Sequence, residues 1–205
     1  MTGEFDLLYR GGTATLERAD GRAHPLRGDR WSAEPDEADR CLLSACRGPV
    51  LDVGCGPGRL TAELAARGVP VLGIDTSPLA VRLTTARRAP ALRRDVFGRL
   101  PAEGRWREVL LIDGNIGIGG DPEALLRRVR ALLRCGGAAV VEVEAPGTGL
   151  WRGTGRVVRA GRGTGPFRWA VVGAEAIDPL ARIAGFARPR IAERSGRWFA
   201  WLNVT

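Results

Sequence analysis

Residues 50–60 read VLDVGCGPGRL: a short apolar run, then glycine at every second position, then the start of a helical pattern. No other stretch narrows the possible folds as much. A strand covered on both faces reads as a short apolar run. Glycine directly after it lets the backbone turn sharply and lets a ligand come close to the main chain. The helix behind the turn presents unpaired N–H groups at its N-terminus. A dinucleotide fingerprint needs Gly-x-Gly-x-x-Gly. Here the third glycine comes one position early and Pro57 stiffens the turn. Asp52, at the strand end, would repel a pyrophosphate and attract an ammonium group.

The rest of the chain from Gly48 alternates strand and helix patterns. A helix is expected over 59–67, with Leu60 and Leu64 on one face and Gly68 as its stop. A second strand follows at 71–74. Ser77-Pro78 is a cap followed by proline at the first helical position, and opens a helix to about Arg88. A third strand falls within 90–94 and a fourth at 109–112. Asp121-Pro122 repeats the cap-and-proline start. Leu125, Leu126, Val129, Leu132 and Leu133 then make an amphipathic helix, stopped by Gly136-Gly137, before a fifth strand at 138–143. This rhythm means right-handed βαβ units and a parallel sheet with helices on both faces. Such sheets bind ligands beyond the carboxyl ends of their strands.

Both ends break the rhythm. Residues 13–27 alternate loosely around Ala19-Asp20-Gly21, a hairpin signal. Residues 34–46 carry Ala38, Cys41, Leu42 and Ala45 at helical spacing. Residues 1–47 are therefore expected to form an N-terminal cap, and 48–205 the main domain. The glycine-rich run 147–165 reads as a mobile loop, with 155–160 and 167–172 as a two-stranded excursion after strand five. A helix at 174–184 and strands at 189–193 and 197–203 close the chain. Trp198 and Trp201, three apart in the last strand, should face opposite sides.

Composition removes several function classes. No apolar run approaches the ~18 residues of a membrane helix. Residues 1–10 carry acids and lack the basic start and apolar stretch of a signal peptide, so a cytoplasmic protein is expected. Cys41, Cys46, Cys55 and Cys135 form no Cys-x-x-Cys pair, and His24 is the only histidine. A zinc site is therefore not expected; the cysteines read as thiols in a reducing compartment. The net charge of +8 invites a nucleic-acid reading. However, the chain has no lysine, and its arginines, abundant with alanine and glycine, look like GC-rich codon usage. They are also dispersed, densest at Arg87, Arg88, Arg93 and Arg94, which suits a solvated face better than a phosphate track.

Asp-x-Gly-x-Gly-x-Gly after an apolar strand resembles the signature of class I S-adenosylmethionine (SAM)-dependent methyltransferases, small bacterial type. The resemblance covers residues 48–144 well, and the closing helix and strands fit too. It implies a Rossmann-like, doubly wound α/β fold whose seven-stranded sheet is mostly parallel with an antiparallel last strand. It also implies SAM as cofactor, with S-adenosylhomocysteine as product. The glycine loop, Gly54, Cys55, Gly56 and Gly58, would run beside the methionine part, and Asp52 would reach its amino group. Asp75 ends the second strand 21 positions beyond Gly54, where an acid is placed to bind ribose hydroxyls. Thr76 would line the same edge. Asp95 resembles the acid that contacts the adenine amino group, with the Val96 N–H on the ring; the bland alternative is a surface acid paired to Arg93 or Arg94.

Asp113 and Gly114, after the fourth strand, fall in the family's fourth motif, where methyl meets acceptor and the cofactor is also touched. Base N-methyltransferases carry Asn/Asp-Pro-Pro-Tyr/Phe there; this chain has Asp-Gly-Asn-Ile, which argues against that activity. A catalytic cysteine for pyrimidine carbon-5 methylation is missing as well. The glycines of 114–120 suggest a tight, backbone-lined wall. Asp113, Glu144 and His24 are the candidate general bases. Trp31, Trp151, Phe167 and Trp169 are candidates for an apolar acceptor wall. The expected activity is methyl transfer to an oxygen, nitrogen or carbon atom of a small molecule. The alternatives are an RNA or protein methyltransferase and a SAM-binding protein without transfer. A nicotinamide-dependent reductase is disfavoured by the glycine spacing and Asp52.

Overall fold

A computed structural model describes residues 3–9 and 12–205; Met1, Thr2, Arg10 and Gly11, part of the stretch read above for a signal peptide, lie outside the described residues. Two sheets organise the chain. The larger holds seven strands: β3 (Val50–Val53), β4 (Val71–Asp75), β5 (Ala91–Arg93), β6 (Trp106–Leu111), β7 (Leu133–Val143), β11 (Arg190–Arg194) and β12 (Arg197–Asn203). Their order is β11-β12-β7-β6-β3-β4-β5. β3 pairs in parallel with β4 and β6, and β6 with β7, whereas β12 runs antiparallel to β7. This is the doubly wound, mostly parallel α/β sheet that the alternation predicts.

The helices that cross over are α3 (Arg59–Ala66), α4 (Pro78–Ala86) and α5 (Pro122–Leu132), with α6 (Ile177–Ile183) before the last hairpin. The caps are the expected ones: Ser77 Oγ accepts from Leu79 and Ala80 N–H, and Asp121 from Glu123 and Ala124 N–H. Every residue of β3 is buried, because both faces of the sheet are covered. Leu51, Val109 and Leu111 face the core under α5 and α6. Val50, Leu110 and Ile112 face the core under α3 and α2 (Glu37–Ser44). Trp198 packs on the first core and Trp201 on the second, so they do face opposite sides. Among the described residues no helix is long and apolar enough to cross a membrane.

The smaller sheet is antiparallel, in the order β10-β8-β1-β2, with the two-residue β9 (Arg162–Gly163) beside β8. Its strands β1 (Thr13–Arg18) and β2 (Ala23–Arg27) are the expected hairpin; α1 (Gly28–Ser32) follows. β8 (Leu150–Arg159) and β10 (Phe167–Val172) are the excursion. β1 pairs with β8, Leu16 against Val157, so hairpin and excursion form one structure. Two expectations are corrected here. The glycine-rich run is mostly the ten-residue strand β8, not a mobile loop. The helix before strand five ends at Leu132, not at Gly136-Gly137, and the chain enters β7 at Leu133. The two glycines lie within β7, where its register with β6 shifts.

Candidate active site

A cavity of about 970 Å³ opens at the carboxyl ends of β3, β4, β6 and β7, roofed by the small sheet. Asp52, Gly54, Cys55, Gly56, Asp75, Thr76, Asp95, Val96, Asp113, Gly114, His24 and Glu144 all line it. Gly58 does not. A Cβ there would stand 2.6 Å from Thr84 Oγ1, and its φ is +85°. Gly58 thus serves the approach of α3 to α4.

The glycine loop is held from two sides. Asn115 Nδ2 donates to Val53 O (2.8 Å) and Gly54 O (3.0 Å). A Cβ on Gly54 would meet that amide at 2.7 Å. Gly56 N–H donates to Asp75 Oδ2 at 3.0 Å, while Asp75 Oδ1 accepts from Ser77 N–H at 2.8 Å. Burial pushes the Asp75 carboxyl upward against these hydrogen bonds. Asp52 is 3% exposed and accepts from Thr61 Oγ1 at 2.6 Å. Burial raises its pKa to about 7, with the Thr61 hydroxyl pulling the other way. Cys55 is buried, its Sγ 3.7 Å from Thr84 Oγ1. Asp95 Oδ1 accepts from Phe97 N–H at 2.9 Å. Arg93 and Arg94 donate instead to the carbonyls of Thr76 and Arg93.

Beneath the far end of the cavity lies an ion cluster. Arg59, in the first turn of α3, is 3% exposed and donates to Asp113 Oδ2 at 2.6 Å; it also pairs with Asp39. Arg30, from α1, pairs with Asp113 and with Glu142 (3.5 Å). Arg197, opening β12, grips Glu142 at 2.8 and 2.9 Å and Asp39 at 2.7 Å, and reaches Asp36 at 3.2 Å. Asp113 N–H donates to Glu142 Oε2 at 2.7 Å. Burial alone would raise the Asp113 carboxyl, but the guanidiniums of Arg59, Arg30 and Arg197 outweigh it and hold the group below the usual carboxylate range. Asp113 is thus a counter-ion to three arginines and a poor proton acceptor.

His24 and Glu144 come together: His24 Nε2 lies 3.2 Å from Glu144 Oε1. Glu144 N–H donates to Val172 O at the end of β10. His24 sits on β2, the opposite edge of the small sheet. Both outer strands of the roof therefore converge on Glu144. On the same cavity, Phe5 packs on Trp31, Phe167 and Trp169, with ring centroids 5.7, 5.5 and 5.0 Å away. Trp151 is not part of this wall: the Arg18 guanidinium stacks on it, 4.3 Å from the ring centroid.

Sequence reasoning missed Arg30, Arg59, Arg197, Glu142, Asp39 and Asn115, together with Phe5 and Tyr9 on the N-terminal segment. One signal was available. Arg59 opens a helix, where the macrodipole disfavours a cation, so only nearby carboxylates explain it. Among the described residues no group of His, Cys, Asp and Glu could hold a metal ion.

Comparison with known proteins agrees with this geometry. Residues 50–137 match the model of a methyltransferase domain family. A trans-aconitate 2-methyltransferase of Paracidovorax citrulli is 35% identical over 144 residues, covering 67% of this chain and 53% of that protein. A magnesium-protoporphyrin O-methyltransferase of Rhodobacter capsulatus is 38% identical over 96 residues, covering 44% and 40%. The chain thus spans about half the length of the curated relatives it matches. A SAM-dependent methyltransferase from Bacteroides fragilis, solved with S-adenosylhomocysteine, shares the fold over 99% of this chain and 93% of its own, with TM-score 0.77 and 20% identity. An apolar strand and an Asp-x-Gly-x-Gly-x-Gly turn on a sheet of this order, within the methyltransferase-domain match, make the chain a member of the class I SAM-dependent methyltransferases.

Proposed function

We propose that the protein moves the methyl group of SAM to a small molecule seated under the small sheet. The observation that carries this reading is the single cavity shared by the glycine loop with its acids and by the His24–Glu144 pair with its aromatic wall. The loop residues suit the cofactor. The backbone at Gly54–Gly56 is open to a ligand, and Asp52 is a buried acid able to face an ammonium group. Asp75 is fixed by two backbone N–H groups at the end of β4. Thr76, Asp95 and Val96 continue the same wall toward an adenine ring, and Gly114 closes it beside β6.

When bound, SAM supplies a methyl group already activated on a sulfonium. The chain's own work is then to align the acceptor, which contributes up to ~7–11 kcal/mol, and to receive a proton when the nucleophile must lose one. In this reading Glu144, 3.2 Å from His24 Nε2, takes that proton. Asp113, held by three guanidiniums, instead fixes the floor. Calorimetric titration with S-adenosylhomocysteine tests the reading. Micromolar binding is expected, weakened tenfold or more by Asp75→Ala, about 1.4 kcal/mol. A folded protein that binds no S-adenosylhomocysteine overturns it.

A further inference from the structure

We propose that the acceptor atom is the nitrogen of a basic amine carried on an apolar or aromatic body, recognised by Glu144 and the Phe5–Trp31–Phe167–Trp169 wall. This rests on the methyl-transfer reading above and narrows it to one class of substrate.

The charges at the acceptor end carry the inference. Three arginines reach it from below, and each is ion-paired: Arg30 with Asp113 and Glu142, Arg59 with Asp113 and Asp39, Arg197 with Glu142 and Asp39. Among the described residues the Nε atoms of Arg30 and Arg59 have no hydrogen-bond partner, but both atoms are buried and their charge is already met by carboxylates. A carboxylate acceptor would have to pull one of these guanidiniums from partners it already holds in a water-poor site, where breaking a buried pair is costly. The other arginines on the acceptor side, Arg27 and Arg168, are exposed at the rim, where ion pairs are weak. Glu144 is different. Among the described residues no guanidinium lies within ion-pair distance of it, and its neighbour is the imidazole of His24. Apart from the acids of the cofactor side, Glu144 and Glu4 are the cavity carboxylates with no arginine partner among the described residues, and of these Glu144 stands against His24 at the base of the roof.

The aromatic wall points the same way. Ring faces attract cations and repel anions, and four half-buried rings offer an apolar body extensive contact. Trp169 is also fixed in place: a Cβ on Gly117 would lie 2.6 Å from its indole. The ring is thus clamped on the segment that follows Asp113, beside the end of the cavity where the methyl group is to be delivered. An ammonium ion held between Trp169 and Glu144 gives up one proton to the Glu144–His24 pair. The freed nitrogen lone pair then forms the new N–C bond as the methyl carbon's bond to sulfur breaks. That bond's electrons remain on sulfur as a neutral thioether, and the positive charge passes to the methylated ammonium. The proton held by the pair returns to water.

Three probes of one shape and different charge test this: tryptamine, tryptophol and indole-3-propionate, each titrated into protein saturated with S-adenosylhomocysteine. Tryptamine is expected to bind at least tenfold more tightly than the other two. Glu144→Gln is expected to remove at least that tenfold preference while leaving S-adenosylhomocysteine affinity within twofold, which also shows that the variant folds. Equal or better binding of the alcohol or the carboxylate overturns the inference, as does absence of tryptamine binding or an unchanged preference in Glu144→Gln. Loss of S-adenosylhomocysteine binding by the unmodified protein would instead strike the function reading itself, so the two failures are distinguishable.

Discussion

A buried carboxylate holds its proton more tightly than a free one, and Asp52 is buried at the cavity floor: 3% exposed, with a hydroxyl hydrogen bond from Thr61 and, among the described residues, no ion-pair partner. Burial lifts its pKa from 3.8 to about 7. Because the folded value lies above the unfolded one, the stability linked to this proton is fully present below about pH 4 and is lost as pH rises through about 7. A shift of this size corresponds to roughly 4 kcal/mol, and Asp75, also pushed up by burial, acts in the same direction. We expect the ligand-free protein to lose several kcal/mol of unfolding free energy between pH 5 and pH 8, while Asp52→Asn, which cannot titrate, loses much less. Urea denaturation at the two pH values measures this, and parallel pH dependence in the two proteins would remove Asp52 as the cause.

At the scale of elements, the turn from β3 to α3 is governed by contacts that its glycines permit. Gly58 combines φ +85° with a virtual Cβ 2.8 Å from the Thr84 backbone, so no side-chain rotation relieves the clash. Gly58→Ala is expected to cost about 2 kcal/mol or more, since it adds backbone strain to overpacking. A melting temperature within a degree of the parent would contradict that. This turn was legible because all its determinants lie within a few residues: apolar strand, glycine spacing, helix cap. For the same reason Asp52, Asp75 and the caps at Ser77 and Asp121 could be placed from sequence. The small sheet was legible only in pieces. β1 meets β8 across more than a hundred residues, as in Thr15 against Val158, and no local pattern encodes that pairing. The glycines of β8 also misled. Glycine usually weakens a strand, yet a Cβ on Gly153 would lie 2.7 Å from the Trp151 ring, and one on Gly155 2.9 Å from Leu16. They mark close packing, not a loop. The ion cluster was hidden likewise, since Asp39, Arg59, Asp113 and Arg197 come together only in the folded chain.

At the scale of the whole molecule, the roof touches the cofactor side of the cavity through its leading segment. Ser77 Oγ donates to Asp6 at 2.6 Å, and Tyr9 comes within 3.5 Å of a virtual Cβ on Gly56. Opening this segment therefore disturbs the cradle around the glycine loop and Asp75. Its described internal hydrogen bonds are single-turn ones, as in Leu8 N–H to Phe5 O at 2.9 Å, so it can open without breaking either sheet. A ligand that binds the closed form alone adds RT ln(1 + [L]/Kd), about 2.7 kcal/mol at a hundredfold excess over Kd. Amide exchange at Leu8 should then slow by up to about a hundredfold when S-adenosylhomocysteine is present at that excess. Fraying at the end of α6, where Ala184 N–H donates to Leu180 O and no helix residue lines the cavity, leaves the site intact and should slow far less. Exchange mass spectrometry with and without the ligand separates the cases. A larger effect at Leu8 than at Ala184 means that cofactor and roof close together. Equal effects would mean that ligand binding stabilises the molecule as a whole, with the roof free to open over a filled site.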